Sequence, residues 1–263
     1  MVLQVSVERQ SLRTGGSVTD EYWTRRRTVF GTFAAHYNRA RPTFPQDAVA
    51  WLCGDPANPA AVDVLDLGAG TGKLTRALAA AGYRVVSVEP SDGMREVLSA
   101  TSPGASVLAG SAESIPLPDA SVDVVTSGQA MHWFELPVAL PEITRVLRPG
   151  GLLSAVWNLF DDSVDWVSEF CDLTKSEAQY SRVETIGDEW LPWFPAPEQA
   201  DFRHNVVLQR ADLVALAESF SMVVLMPDDE RLDVLNRVES LIAAGEQRVL
   251  PYVADAHRSR RPK

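Results

Sequence analysis

Cysteine is scarce, with Cys53 and Cys171 the only two in 263 residues. Two thiols so far apart give neither a disulfide framework nor a cysteine-rich zinc site, so both are expected to be reduced and buried. Of the four histidines, His204 and His257 stand too isolated to suggest a metal site, and His36 is expected to be structural. No metal is expected. Long apolar runs are absent as well. Nowhere do about 18 consecutive apolar residues suggest a membrane span, and the opening MVLQVSVERQSLRTGG lacks the apolar stretch of a signal peptide. These two absences predict a cytoplasmic protein with no membrane partner. Positive charge is in deficit, 24 basic against 35 acidic residues for a net −11. That argues against broad electrostatic capture of nucleic acid or an anionic membrane, with Arg25–Arg27 as the only local counterweight. A small-molecule partner is the expectation, for a chain acting as monomer or homodimer.

What is present is ample apolar material, 46% of the chain, enough to bury a full core in one large α/β domain. The chain is organised around Val64–Thr75, VLDLGAGTGKLT, an apolar run that ends in a glycine-rich turn and passes into a helix. Val64, Leu65 and Leu67 suit a buried parallel strand. Gly68, Gly70 and Gly72 allow backbone conformations and ligand approaches that a Cβ would obstruct. From there strand and helix alternate, the pattern of a parallel sheet covered on both faces. Strands are predicted near 61–67, 84–89, 105–108, 122–126 and 152–157, and helices over 73–81, 93–100 and 136–147. Pro149-Gly150-Gly151 reads as a sharp turn before the fifth strand.

Outside this core the pattern changes. Residues 1–20 are polar and predict a flexible leader. Residues 21–263 form a single domain, with cap elements from about 21–55 and 159–201. Phe30, Phe33, Ala34 and Tyr37 recur at helical spacing, and Pro42 closes that helix. A helix is predicted over 45–52 and another over 163–176. The aromatic, proline-bearing stretch around Trp190, Trp193 and Phe194 is expected to cover a pocket. A sixth strand is predicted over 202–208, helices over 211–220 and 228–244, and a last strand over 251–258. The terminal Arg258, Arg260, Arg261 and Lys263 read as a solvated tail.

The glycine pattern departs from the dinucleotide fingerprint, whose third glycine falls three places after the second. Here Lys73 stands at that place. The second strand ends at Glu89, where an acid can accept hydrogen bonds from both hydroxyls of a ribose. The combination resembles the class I S-adenosylmethionine-dependent methyltransferases. Further segments match that family in order. They are FGTFAAHYNRARPTFP as a cap helix, GSAESIPLPDASVDVV around the third and fourth strands, GQAMHWF after the fourth strand, and EITRVLRPGGLLSAVWN as helix, turn and fifth strand. The match is to small-molecule members of the methyltransferase type 11 group, related to trans-aconitate and ubiquinone-pathway enzymes. It covers about 30–158, with LPYVADAHRSRR a weaker match to the final strand.

The resemblance implies a Rossmann-like, seven-stranded, mostly parallel sheet with helices on both faces and a helical cap. It also implies S-adenosyl-L-methionine as cofactor. Gly68, Ala69, Gly70 and Gly72 would lie beside its methionine part, and Glu89, followed by Pro90, would hold the ribose. Met94 either packs on the adenine or is helix core, and Ser111, Ala112 and Glu113 fall where the family contacts adenine. Asp66 fixes either the cofactor's amino group or the loop. Tyr37 and Arg41, four apart, share a face if the helix reaches that far. The resemblance has Tyr37 shield the cofactor and Arg41 pair with its carboxylate, and a structural capping role is the alternative. Gln129, His132 and Trp133 lie past the carboxyl end of a central strand, where open α/β sheets place reacting groups. His132 is a candidate general base or an orienting group, and Trp133 a candidate substrate contact or a packing residue.

The expected reaction is in-line displacement by a substrate atom on the sulfonium methyl, as O- or C-methylation of a small molecule. With a carboxylate acceptor no base is required, whereas with a phenol or acidic carbon His132 gains importance. The segment GQAMHWF lacks the Asn/Asp-Pro-Pro-aromatic pattern of nucleic-acid amino-methylating enzymes. Two other readings are a non-catalytic S-adenosylmethionine-binding or partner protein, and an NAD-dependent dehydrogenase, which Lys73 disfavours.

Overall fold

The computed structural model describes residues 34–175, 190 and 192–263, and of residues 35–37 the backbone only. The expected leader, the Arg25–Arg27 cluster, Phe30 and Phe33 lie outside the described residues, as does the side chain of Tyr37. Strands β1 (Asp63–Leu67), β2 (Arg84–Glu89), β3 (Ser106–Ala109), β4 (Val122–Gly128), β5 (Leu147–Phe160), β6 (Glu198–Gln209) and β7 (Gln247–Arg260) form one sheet. Their order is β3-β2-β1-β4-β5-β7-β6. The pairs β1–β2, β1–β4, β2–β3 and β4–β5 are parallel, whereas β7 runs antiparallel to both β5 and β6.

The described helices are α1 (Ala34–Ala40), α2 (Gln46–Leu52), α3 (Lys73–Ala80), α4 (Asp92–Thr101), α5 (Leu136–Val146), α6 (Asp165–Thr174), α7 (Arg210–Glu218), α8 (Ser221–Val224) and α9 (Asp228–Ser240). Parallel neighbours require a crossover, and α3, α4 and α5 lie in those from β1 to β2, β2 to β3 and β4 to β5. Strand alternation sends Leu65 and Leu67 to one face, where α5 lays Leu140, Ile143 and Val146 over them together with Trp190 and Phe194. Val64 goes to the other face with Val124, Leu152 and Val156, against α2 and α3. A third apolar cluster joins α6 through α9 to Phe160, Leu250 and Tyr252 at the β5–β7–β6 end. Both sheet faces are thus covered, which is why the central strands read as almost unbroken apolar runs.

Three expectations change in the structure. β5 runs continuously through Pro149-Gly150-Gly151, whose extra residues are taken up on β5 itself as an irregularity in register against β4: Val122 pairs with Leu147 and Val124 with Leu152. A Cβ on Gly151 would stand 2.7 Å from the Asp123 carbonyl oxygen, so the close strand approach requires glycine there. The sheet also takes residues at both ends of the segment expected to form a cap, since β5 extends to Phe160 and β6 opens at Glu198. Trp190 and Phe194 are core residues, 0% and 1% exposed.

The third change concerns the basic C-terminal residues: Arg258, Arg260 and Arg261 bond to the fold, while Lys263 is exposed as expected of a solvated tail. Arg258 lies in β7, stacked over the Trp51 ring at 4.2 Å, donating to the Trp51 carbonyl at 2.7 Å and to Glu198 Oε2 at 2.8 Å. Arg260 donates to Gly150 O and Arg261 to Leu147 O. Charge counting missed this because the arginine stem and planar head cover an aromatic face as well as carrying charge. Arg258→Ala is expected to lower stability by about 1–2 kcal/mol. Lys263→Ala is expected to change it by less than about 0.5 kcal/mol, both read by urea denaturation.

Candidate active site

β1 is flanked by β2 on one side and β4 on the other. This is the switch point at which open α/β sheets form a ligand crevice beyond the strand carboxyl ends. The glycine turn 68–72 leaves β1 there. Gly68 and Ala69 donate to the Val88 carbonyl at 2.9 and 3.1 Å, which lays the turn across the end of β2. Gly70 N–H donates to Glu89 Oε2 at 2.9 Å, and Ser91 N–H to Glu89 Oε1 at 2.9 Å. Glu89 therefore joins the turn to the start of α4. Burial pushes its pKa up, and the two backbone N–H groups counter that shift. Each carboxylate oxygen keeps further acceptor capacity for a ligand hydroxyl.

The three glycines of the turn have different reasons. All have positive φ, +69° at Gly68, +56° at Gly70 and +85° at Gly72. A Cβ at Gly72 would fall 2.3 Å from Leu98 Cδ1 and one at Gly68 2.8 Å from Ala130 Cβ, so these two are required by packing. A Cβ at Gly70 would meet nothing within 4 Å. Gly70 borders open space, and its N–H is already held in place.

Asp66 is fully buried beneath the turn and accepts from Thr75 Oγ1 at 2.6 Å; Thr75 Oγ1 in turn lies 2.9 Å from Ser87 Oγ. Its other oxygen, Oδ1, is buried with no hydrogen-bond partner among the described residues. Burial raises its pKa to about 7. Of the two roles expected for Asp66, the observed bonds are those of a group holding α3 to β1.

Gln129 follows β4 at φ +57°, donates its backbone N–H to Val156 O, and gives its side-chain amide to Asn158 O at 3.0 Å. The bulky residue in the left-handed region turns the chain sharply into the 3-10 turn Met131–Trp133. Trp157 Nε1 donates to His132 Nδ1 at 3.2 Å, and the His132 and Trp133 rings lie 4.9 Å apart. An indole N–H can only donate, so the neutral His132 carries its proton on Nε2. Asn158 Oδ1 lies 3.0 Å from His204 Nε2, while Asn158 Nδ2 donates to Thr43 O. This link between cap segment and sheet was not foreseen, because His204 is distant in sequence from everything it meets.

Met94 and Ala112 are buried at 5% and 3% exposure, Pro90 is exposed, and Ser111 bridges to Ser114. Glu113 Oε1 accepts from the N–H of Glu135, the residue capping α5. Arg41 donates through Nε to Ser219 Oγ at 2.8 Å and stacks over Phe220 at 4.1 Å, tying the cap to the α7–α8 corner. Both cysteines are free and buried, and burial raises each thiol to about 12, which makes them inert. The described residues contain no cluster of histidine, cysteine and acid able to hold a metal.

The sequence profile of the family described as Methyltransferase domain matches residues 65–155. An uncharacterized methyltransferase of Mycobacterium tuberculosis is 40% identical over 234 residues, covering 85% of this chain and 92% of the relative. This protein is a class I S-adenosylmethionine-dependent methyltransferase. A malonyl-[acyl-carrier protein] O-methyltransferase of Serratia marcescens is 33% identical over 127 residues, 48% of this chain and 49% of that one. Among solved structures, a protein named as a type II methyltransferase from Anaeromyxobacter dehalogenans superposes with a TM-score of 0.62 at 26% identity, covering 84% and 97% of the two chains. The fold of the methyltransferase matches the sequence expectation, and its cofactor is S-adenosylmethionine. The residues present fit that cofactor, since the open space at Gly70 lies beside the buried acid Glu89, whose oxygens keep acceptor capacity for ligand hydroxyls.

Two outcomes test this site. Gly70→Ala is expected to cost about 1 kcal/mol of stability from backbone strain and to weaken S-adenosylmethionine binding at least about tenfold by calorimetry. Gly72→Ala is expected to cost more stability, roughly 1–3 kcal/mol, because its Cβ overpacks Leu98. Equal effects of both on cofactor affinity and on stability would contradict the distinction. Asp66 gives a pH signature. Between about pH 4 and about pH 7 the folded state holds a proton on Asp66 that the unfolded chain has released. Its contribution to stability therefore falls as pH rises through that window and is constant above it. Denaturant curves for Asp66→Asn should lack this decline when compared with the parent protein.

Proposed function

We propose that the methyltransferase acts on a small-molecule acid and methylates a carboxylate oxygen. The observation that carries this reading is the hydrogen bond from Trp157 Nε1 to His132 Nδ1 at 3.2 Å. A histidine whose Nδ1 lone pair is engaged presents an N–H at Nε2. It can hold an acceptor oxygen, and it takes up a proton only by giving up the tryptophan bond. A carboxylate is ionised at neutral pH and needs no base. O-methylation in the name of the Serratia marcescens relative supports an oxygen nucleophile. The net charge of −11 supports a small acceptor over nucleic acid.

The sulfonium methyl of the bound cofactor supplies the chemical activation. The chain's part is orientation and exclusion of water, worth up to roughly 7–11 kcal/mol in well-aligned systems. In this reading Glu89 accepts the ribose hydroxyls while its bonds to Gly70 and Ser91 fix its plane. Gly70 admits the methionine end, Met94 and Ala112 line the adenine side, and His132 with Trp133 faces the acceptor. Asp66 acts at one remove, through Thr75 and the seat of α3. Two free thiols fit a reducing cytoplasm, and among the described residues no helix is long and apolar enough to cross a membrane.

The test uses S-adenosylmethionine labelled in its methyl group, with a panel of carboxylic acids and matched phenols. The product should be a methyl ester that releases its label as methanol in mild base. Label retained in a base-stable product would overturn the carboxylate assignment. His132→Ala should leave cofactor affinity within about twofold and reduce turnover on the order of tenfold to a hundredfold. Undiminished turnover in that variant would remove His132 from the site.

A further inference from the structure

We infer that Arg76 is a positioning residue that ties the seating of cap helix α1 to the shape of the glycine turn, and so governs how long the cofactor stays bound. Its guanidinium reaches three separate pieces of structure. Nη1 donates to the carbonyl of Thr71, inside the glycine turn, at 2.8 Å and to Thr101 Oγ1, at the end of α4, at 2.6 Å. Nη2 donates to Asn38 Oδ1, on α1, at 2.7 Å. Thr71 is 1% exposed, between the glycine that borders open space and the glycine packed on Leu98.

The group is a rigid planar fork, so the angles between its arms are fixed. A shift of Asn38 turns the plane and displaces the partner of Thr71. The turn has little freedom to absorb that shift, since Glu89 holds Gly70 on the preceding side. Just past the end of α1, Arg41 bonds Ser219 and stacks on Phe220. The cap helix is thus clamped between the cofactor turn and the α7–α8 corner. Among the described residues the hydrogen-bond partners of Arg76 are neutral oxygens of these three segments, with no carboxylate. That choice suits geometric registration better than charge pairing. A lysine carries the same charge without the fork.

The experiment measures dissociation of S-adenosylhomocysteine from the full chain by stopped-flow fluorescence, alongside calorimetric affinity for S-adenosylmethionine. Asn38→Ala removes the cap arm alone, Arg76→Lys removes the fork, and Asn38→Asp keeps an acceptor. Asn38→Ala and Arg76→Lys should each speed dissociation about tenfold. Their combination should be no worse than either, and Asn38→Asp should stay near the parent rate. Independent, multiplying effects of the two variants would overturn the inference. So would unchanged dissociation accompanied by a lower melting temperature, which would make Arg76 a brace of the fold alone.

Discussion

A buried carboxylate at the end of β2 is the constraint on which the site depends. Glu89 accepts from Gly70 on one oxygen and from Ser91 on the other. Burying a charge is costly unless hydrogen bonds compensate it, and here both compensating donors are backbone N–H groups at the crevice. The acid therefore fixes the turn and the start of α4 relative to each other before any ligand arrives. Ligand hydroxyls then meet a carboxylate whose orientation is already set, and little ordering has to accompany binding.

Below this bridge lies a second, drier layer. Asp66, Thr75 and Ser87 connect β1, α3 and β2 through hydroxyl and carboxyl groups at 2.6 and 2.9 Å, all three residues fully buried. With its pKa near 7, Asp66 has a proton available as a donor over much of the acidic range, which suits a carboxyl sharing a chain of hydroxyls. The two acids of the motif thus divide the work by environment. Glu89 is anchored by main-chain donors at the crevice, and Asp66 is enclosed under it.

Much of the fold was legible because local pattern and tertiary context agree. Continuous apolar runs marked β1, β2 and β4, helical periodicity marked α3, α4 and α5, and the glycine turn with Glu89 marked the crevice. The extra length of β5 through Pro149-Gly150-Gly151 was not legible, because a turn motif gives no sign that the strand will continue through it as a bulge. The place of Arg258 was not legible for a related reason: a basic run near the C-terminus looks solvated until Trp51, 207 positions earlier, is brought beside it. In the site, the nature of the residues was legible and their partners were not. His132 could be placed after β4, but the tautomer of its neutral ring follows from Trp157, which the sequence shows only as one more residue of a strand. Arg76, Asn38 and the Asn158–His204 contact depend on pairings across the fold. The one local hint was an arginine one helical turn after Lys73.

The antiparallel strand β7 sits between β5 and β6 while following both in the chain. β6 therefore has no sheet neighbour until β7 arrives, and the apolar cluster of α6 through α9 lacks Leu250 and Tyr252 until then. During synthesis the five strands from β1 to β5 can assemble as they emerge, but β6 must wait. For that interval the nascent chain carries an unpaired strand of 12 residues, the kind of edge that recruits a second chain. The charged and polar side chains spaced along β6, among them Glu198, Asp201, Arg203 and Asn205, are suited to keeping it soluble until its partner strand is made.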